Sequence, residues 1–328
     1  MTASSKYSRG VLLCLLATIS WGGMFPVMTS ALRDIDPFTF TCLRYGIAGL
    51  VFLAVLLKLE GGKALSIKGQ RPWLAWLFGT TGFAGFQFLV FFGQKIAGPE
   101  GALVASIMMA TMPMQSFLVN WAVRKNVPPK AVLGFILMSF TGVVLVITKG
   151  NVAGLIQDPS GYGADLLIIL GALCWVIYTM GATFFPQWSP IKYTTVTTGL
   201  GLTSAVAITA VLLGTGAVAV PTAGAVGSII PELAYMSLVA GFVGVLAWNI
   251  GNKILTSLNG MLFMDVVPIT AFIVSAATGT IPLPMQILGA AITASALICN
   301  NLYMRHRMAV PAPAPAAPPV RTPAETAA

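Results

Sequence analysis

The sequence predicts an all-α integral membrane protein with ten transmembrane helices, arranged as two inverted five-helix repeats around a central cavity. Three observations support this fold class. Charged residues make up 8% of the 328 residues, against about 25% in soluble domains. Uncharged runs long enough to cross a hydrocarbon core of about 30 Å, which takes roughly 20 residues, follow one another along the chain. The second half of the chain also repeats short motifs of the first half in the same order.

Ten apolar stretches are predicted to cross the membrane, and Pro, Gly and Asp residues mark the turns between them. A β-barrel would show alternating segments of about ten residues, and these runs do not alternate. The first run is also longer than the apolar region of a signal peptide, about 7–15 residues, so we interpret it as a membrane helix. The spans are 11–32, 37–57, 72–94, 99–123, 129–148, 163–185, 191–213, 231–256, 260–280 and 283–303.

These spans divide the chain into five parts. Residues 1–10 form an N-terminal segment, 11–148 the first repeat, 149–162 a linker loop and 163–304 the second repeat. Residues 305–328 are rich in Pro and Ala, cannot build a core, and are predicted to be a disordered tail.

The distribution of Lys and Arg predicts the orientation. Of the 18 Lys and Arg residues, 14 fall in connections on one side, three fall on the other, and Arg44 lies inside a span. The positive-inside rule therefore predicts a multi-pass protein of the cytoplasmic membrane with both termini in the cytoplasm. This topology and the acidic lipid surface account for the net charge of +9, so nucleic acid is not expected as a partner.

The internal repeat has an offset of 154 to 155 residues at most matches, and Gly93-Gln94-Lys95 resembles Gly251-Asn252-Lys253 at an offset of 158. Trp21 aligns with Trp175, and Pro113 with Pro268. Because each repeat holds five helices, the second enters the membrane from the opposite face, as is typical of secondary transporters. Pro26, Pro113 and Pro268 lie inside spans and are candidate hinges, although membrane helices also tolerate proline without a hinge function.

The stretch "WGGMFPVMTSALRDIDPFTFTCLRYGIAGL" resembles the start of EamA-type members of the drug/metabolite transporter superfamily. The matching positions are Trp21, Gly22, Phe25, Pro37 and Arg44. The segment from Gly101 to Ile147 resembles the family's fourth and fifth helices, but it carries "VRKNVP" where the family often has Gly-Glu. The resemblance, which extends to bacterial aromatic amino acid exporters, implies a small-metabolite transporter.

Motifs for other functions are absent from the sequence. No phosphate-binding loop for ATP hydrolysis is present, so no ATPase activity is expected in this chain. The single His and the four scattered Cys residues predict neither a metal site nor a disulfide framework. No cofactor is expected. A membrane-embedded transferase would need clustered His, Asp or metal ligands at one face, and none is present.

Arg44 is the one basic residue deep in a span, and two interpretations of it remain open. It extends outward to Asp34, Asp36 or carbonyls at helix ends, or it faces the cavity and meets a substrate carboxylate. Asp265 has two interpretations as well: it pairs with Lys253 at the inner ends of spans 8 and 9, or it relays protons.

Aromatic, amide and methionine side chains inside the spans are candidates for the cavity wall. Buried indole and phenol groups need hydrogen-bond partners, and methionine provides adaptable apolar surface. About half of the aromatic residues are expected to pack between helices instead. With Arg44, the candidates are Trp21, Phe83, Phe86, Gln87, Met108, Met112, Trp175, Tyr178, Trp248, Asn249 and Asn252.

Together these features predict a secondary transporter that exports amino acids, including aromatic or other apolar ones, and related small metabolites by alternating access. The alternative within transport is a carrier of cationic drugs or nucleotide-linked metabolites. The alternative from another class is a membrane-embedded transferase.

Overall fold

The computed structural model describes residues 3–125, 130–151, 162–277 and 283–309. Within these residues the chain is helical and contains no strand, which confirms the all-α prediction. Eight of its helices are long and apolar enough to cross a membrane. They are α1 (Ala3–Ala31), α2 (Pro37–Glu60), α3 (Pro72–Ile96), α4 (Gly101–Arg124), α6 (Gly163–Phe184), α7 (Pro190–Gly214), α8 (Ile230–Leu255) and α9 (Ser257–Val274).

Two further apolar helices occupy the fifth and tenth predicted spans. They are α5 (Lys130–Thr148) and α10 (Pro284–Ala309), which pack against each other. Helix α10 includes the first five residues of the predicted tail, so this part of the tail prediction is wrong. Residues 310–328 of the tail and 152–161 of the linker lie outside the described residues.

The ends of the helices follow from local sequence. Asp36 precedes Pro37 at the start of α2, and its Oδ1 accepts hydrogen bonds from two backbone N–H groups of the first turn. Ser189 precedes Pro190 at the start of α7 and caps that helix through its Oγ. Proline suits the first helical position, because the N–H it lacks would have no partner inside the helix.

Four of the helices are interrupted near their middle. Helix α3 contains a π-helical segment at Thr81–Gly85, and α8 contains one at Tyr235–Gly244. Helices α4 and α9 contain 3₁₀ segments at Met109–Thr111 and Leu262–Asp265.

The 3₁₀ segments lie just before Pro113 and Pro268, two of the candidate hinges. A proline ring clashes with the carbonyl of the residue four positions earlier and cannot donate a helical hydrogen bond. The tighter 3₁₀ turns fall where this clash would occur. Helix α1, in contrast, passes Pro26 without interruption.

The helices pack in pairs that bring both halves of the chain together. Helix α1 packs against α8 and α9, and α6 packs against α3 and α4. Helix α2 packs against α7 and α8, and α7 packs against α3. The middle parts of α1, α2, α3, α6 and α8 thus surround the centre of the protein.

Glycine allows α3 and α7 to cross closely. A Cβ on Gly79 would overlap the carbonyl oxygen of Thr197, and a Cβ on Gly201 would overlap that of Gly79. Small residues commonly permit such close approach between membrane helices.

We predict that Gly79→Ala destabilises the protein by about 1–3 kcal/mol, the usual cost of overpacking. The melting temperature in detergent would measure the loss. Gly199→Ala is the matched control, because open space surrounds Gly199 and alanine favours the helix by roughly 0.5–1 kcal/mol over glycine. Equal effects of the two substitutions would contradict the close crossing.

Candidate functional site

Arg44 is buried near the centre of the protein, with 1% of its surface exposed. Its Nε donates to the carbonyl oxygen of Met236 at 2.8 Å, and its Nη1 donates to Gln87 Oε1 at 2.8 Å. Its Nη2 lies 3.5 Å from the sulfur of Met24. The guanidinium carbon also lies 4.9 Å from the centre of the Tyr45 ring. A carbonyl, an amide, a thioether and an aromatic face therefore surround the cation.

The interpretation in which Arg44 extends outward to Asp34 or Asp36 is wrong. Asp36 caps α2, and Asp34 Oδ2 accepts a hydrogen bond from Ser228. Among the described residues, no carboxylate pairs with Arg44. Because charges inside a membrane protein normally have a partner, an uncompensated guanidinium favours the approach of an anion.

Gln87 holds the guanidinium in place. Its Oε1 accepts from Arg44, and its Nε2 donates to the Tyr45 hydroxyl at 3.1 Å. The three side chains form a hydrogen-bonded chain between α2 and α3, and each is at most 1% exposed.

Three tryptophans meet beside this chain. The Trp21 ring lies 5.2 Å from the Trp175 ring, edge to face, and 5.2 Å from the Trp248 ring. Trp21 Nε1 donates to the carbonyl of Ala240 at 2.9 Å, whereas Trp175 Nε1 is buried without a partner. The two tryptophans that align in the sequence therefore differ in their hydrogen bonding.

The π-helical segment of α8 supplies the acceptors for both buried donors. Met236 accepts from Arg44, and Ala240 accepts from Trp21. A π-helical turn changes the helical hydrogen-bonding pattern and is frequently found at functional sites. This segment therefore positions both side chains at the centre.

A small cavity lies between these residues. Five of the predicted candidates line it: Trp21, Arg44, Phe86, Gln87 and Trp175. The space open to the centre of a water molecule is about 10 Å³, enough for about one water. The central cavity is thus nearly closed in this conformation.

Sequence reasoning missed several residues of its wall. Met109 and Met264 are separated by the repeat offset of 155 and lie within the two 3₁₀ segments. The repeat could have identified this pair. Tyr45 could have been identified because it directly follows the candidate Arg44 in the sequence. The missed residues are Met24, Phe25, Tyr45, Met109, Val245, Met264 and Val267.

Five other candidates are fully buried and line neither this cavity nor the second one described below. They pack in the core, as was expected for about half of the aromatic residues. These residues are Phe83, Met108, Met112, Tyr178 and Trp248.

Asn249 and Asn252 line a second and larger cavity of about 410 Å³, which we call the vestibule. Aromatic rings and two cations form part of its wall. Both asparagine Oδ1 atoms are buried without a hydrogen-bond partner. The vestibule is lined by Arg124, Ala182, Thr183, Phe185, Pro186, Trp188, Ser189, Pro190, Tyr193, Asn249, Asn252, Lys253, Thr256 and Ser257.

The predicted pair between Lys253 and Asp265 is wrong. Lys253 Nζ donates to the carbonyl of Trp188 at 2.7 Å. Asp265 lies at the end of the 3₁₀ segment of α9, and its Oδ1 is buried without a partner. The pair was predicted because both residues lie at a similar depth in the inner half of the membrane. A similar depth does not determine which neighbours the two side chains contact.

Comparison with known proteins identifies relatives. Residues 8–148 match the model of the EamA-like transporter family. The chain is 38% identical to "Uncharacterized transporter YrdR" of Bacillus subtilis, over 90% of this chain and 92% of that protein. It is 30% identical to "Uncharacterized transporter YyaM" of the same organism, over 87% and 91%. A solved crystal structure aligns over 92% of this chain and 99% of its own, with a TM-score of 0.65 and 21% identity, which shows the fold alone.

We predict that Gln87→Leu destabilises the protein by about 2–3 kcal/mol, because it removes a hydrogen bond to a charged group and leaves a buried donor unpaired. Gln87→Glu keeps an acceptor for Arg44 and adds a counter-ion, so it should retain stability. Melting temperatures in detergent would distinguish the two. An equally large loss for both would contradict the role of Gln87 as the acceptor.

Proposed function

Since the chain belongs to the EamA-like transporter family, we propose that this membrane transporter exports amino acids, aromatic or other apolar ones among them, and related small metabolites. It would be a secondary transporter of ten transmembrane helices that works by alternating access across the cytoplasmic membrane. The observation that carries this proposal is a difference between two repeat-related amides, Gln94 and Asn252.

The helix packing supports the inverted repeat. In the repeat, α1 corresponds to α6, α2 to α7, α3 to α8 and α4 to α9. The packed pairs α1–α8, α1–α9 and α2–α8 therefore correspond to α6–α3, α6–α4 and α7–α3. These three pairs are also packed. Two halves with the same internal arrangement would give this pattern.

The glycine contacts support the repeat at the level of single residues. A Cβ on Gly93 would lie 2.7 Å from Ile168 and 2.8 Å from the Ala164 carbonyl. Its counterpart Gly251 would meet Cys14 at 2.6 Å and the Gly10 carbonyl at 3.1 Å. Cys14 and Gly10 precede Ile168 and Ala164 by the same 154 residues that separate Trp21 from Trp175.

Gln94 ties α3 to α1 on one side of the centre. Its Nε2 donates to the carbonyl of Phe25 at 2.8 Å and to the hydroxyl of Thr29 at 2.9 Å. We call this contact the Gln94 clasp. It joins two helices that must separate if the central cavity is to open on that side.

Asn252, the counterpart of Gln94, makes no such contact. Its Nδ2 donates to the carbonyl of Trp248 in its own helix at 2.9 Å, and the vestibule lies in front of it. The positions that correspond to Phe25 and Thr29 are Thr179 and Thr183 in α6. In the opposite state, Asn252 would bind to these positions of α6, and the Gln94 clasp would open. The central cavity would then be accessible from the other side of the membrane.

The charges indicate the direction in which the vestibule opens. Lys253 and Arg124 line it, and Lys192 Nζ lies 5.0 Å from the centre of the Trp188 ring in its wall. All three belong to the lysine- and arginine-rich side of the chain. Under the positive-inside rule this side, with both termini, faces the cytoplasm. An exporter loads its substrate there.

The central cavity suits an apolar amino acid. Its wall combines aromatic and methionine side chains with the Arg44 cation, and no carboxylate lines it among the described residues. Such a wall accepts a carboxylate and an apolar side chain. A cationic drug, the alternative substrate, would meet repulsion from Arg44.

We predict that Arg44→Lys lowers phenylalanine transport into proteoliposomes by about tenfold or more, because lysine cannot make the two-point contact of a guanidinium with a carboxylate. Transport of phenethylamine, which lacks the carboxylate, should change much less. Arg33→Lys on the exposed outer turn is the matched control. Equal losses for both substrates, together with a lower melting temperature, would leave Arg44 a purely structural role.

A further inference from the structure

The vestibule is a cavity of its own. None of the residues that line it lines the central cavity. Its volume of about 410 Å³ falls within the range of small-molecule sites, roughly 300–1,000 Å³. It is therefore large enough to hold a molecule that the central cavity, in this conformation, cannot.

A hydrogen-bonded wall separates the two cavities. Tyr193 Oη donates to the carbonyl of Tyr178 at 2.6 Å, and Asn249 Nδ2 donates to the Tyr178 hydroxyl at 2.7 Å. Trp248 Nε1 donates to Thr179 Oγ1 at 3.0 Å. A molecule in the vestibule could reach the central cavity only after these contacts rearrange.

Cations give the vestibule its electrostatic character. Arg124 and Lys253 line it, and no acidic residue lines it among the described part of the chain. Lys253 Nζ is held by its bond to the carbonyl of Trp188, and Arg124 Nη2 is held by Thr183 Oγ1 at 2.9 Å. Each keeps further N–H groups available, so both can donate to an anion.

Aromatic rings form the rest of the recognition surface. Phe185 lies 4.4 Å from Trp188 and 6.0 Å from Tyr193, ring centre to ring centre, and each of the three is at most 6% exposed. A flat aromatic ligand can stack against such a cluster.

Two buried amide oxygens in the vestibule wall lack a hydrogen-bond partner. Asn249 Oδ1 and Asn252 Oδ1 have no hydrogen-bond partner, and both asparagines are more than nine-tenths buried. An unpaired buried acceptor is costly, so a small side-chain rearrangement that turned either oxygen toward the vestibule would let a ligand N–H pair with it. An amine or an indole N–H would serve.

From these contacts we infer that the vestibule is a loading site, separate from the central cavity, that binds aromatic carboxylates with a hydrogen-bond donor, such as aromatic amino acids. Arg124 and Lys253 receive the carboxylate, the aromatic cluster receives the ring, and the two asparagines receive the donor. The inference rests on the proposed transport only for the step that follows binding.

The test is equilibrium binding of tritiated tryptophan to the purified protein in detergent, with unlabelled competitors. Indole-3-propionate should compete and tryptamine should compete at least tenfold less well. Lys253→Gln and Arg124→Gln should each weaken tryptophan binding by about tenfold, the value of one hydrogen bond to a charged group. Lys95→Gln, at the repeat-related position on the opposite side, should leave it unchanged. Arg44→Lys should keep binding while lowering transport.

Several results would overturn the loading site. These are equal losses in Lys95→Gln and Lys253→Gln, stronger competition by tryptamine, loss of binding in folded Arg44→Lys protein, and no binding of tryptophan at all. Displacement of tryptophan by phosphatidylglycerol but not by indole-3-propionate would assign the cations to a lipid headgroup instead. Binding as expected without any flux in proteoliposomes would keep the loading site and overturn the proposed transport.

Discussion

A guanidinium buried between apolar helices must find hydrogen-bond acceptors within the protein, because the lipid offers none. In this protein the acceptors for Arg44 come from a side-chain amide of α3 and from a carbonyl in the π-helical segment of α8. The same segment accepts from Trp21 of α1. Helices from both halves of the chain are therefore joined at one buried cation. The geometry of the central cavity depends on this joint.

Near the centre, polar side chains on one side have hydrogen bonds to other helices, and the corresponding side chains on the other side lack them. Trp21 has a hydrogen-bond partner and its counterpart Trp175 has none, and Gln94 joins two helices while its counterpart Asn252 bonds only to its own helix. The proposed inverted repeat would give this asymmetric state a repeat-related second state, in which the two halves exchange conformations. Alternating access needs such a pair of states.

Much of the fold could be predicted from the sequence, because uncharged runs and proline-containing turns depend on local composition. Trp21 and Trp175 align in the repeat and were both expected in the cavity wall, and in the structure their rings are 5.2 Å apart. Side-chain partners were harder to predict. Arg44 bonds to the carbonyl of Met236, 192 residues away, which becomes an acceptor through a π-helical segment that no sequence signal indicated. The similar depth of Lys253 and Asp265 in the membrane likewise led to the wrong prediction that they pair, whereas Lys253 donates to a loop carbonyl.

Alternating access is tested most directly by spin-label distances in lipid bilayers on the two sides of the same protein. One label pair would replace Arg33 and Lys95 beside the Gln94 clasp, and the other would replace Gln187 and Thr256 beside the vestibule. Compared with the parent protein, Gln94→Leu should lengthen the first distance and shorten the second, because it opens the clasp and favours closure of the vestibule. Two distances that stay constant, or that change in the same direction, would contradict an exchange of access between two repeat-related states.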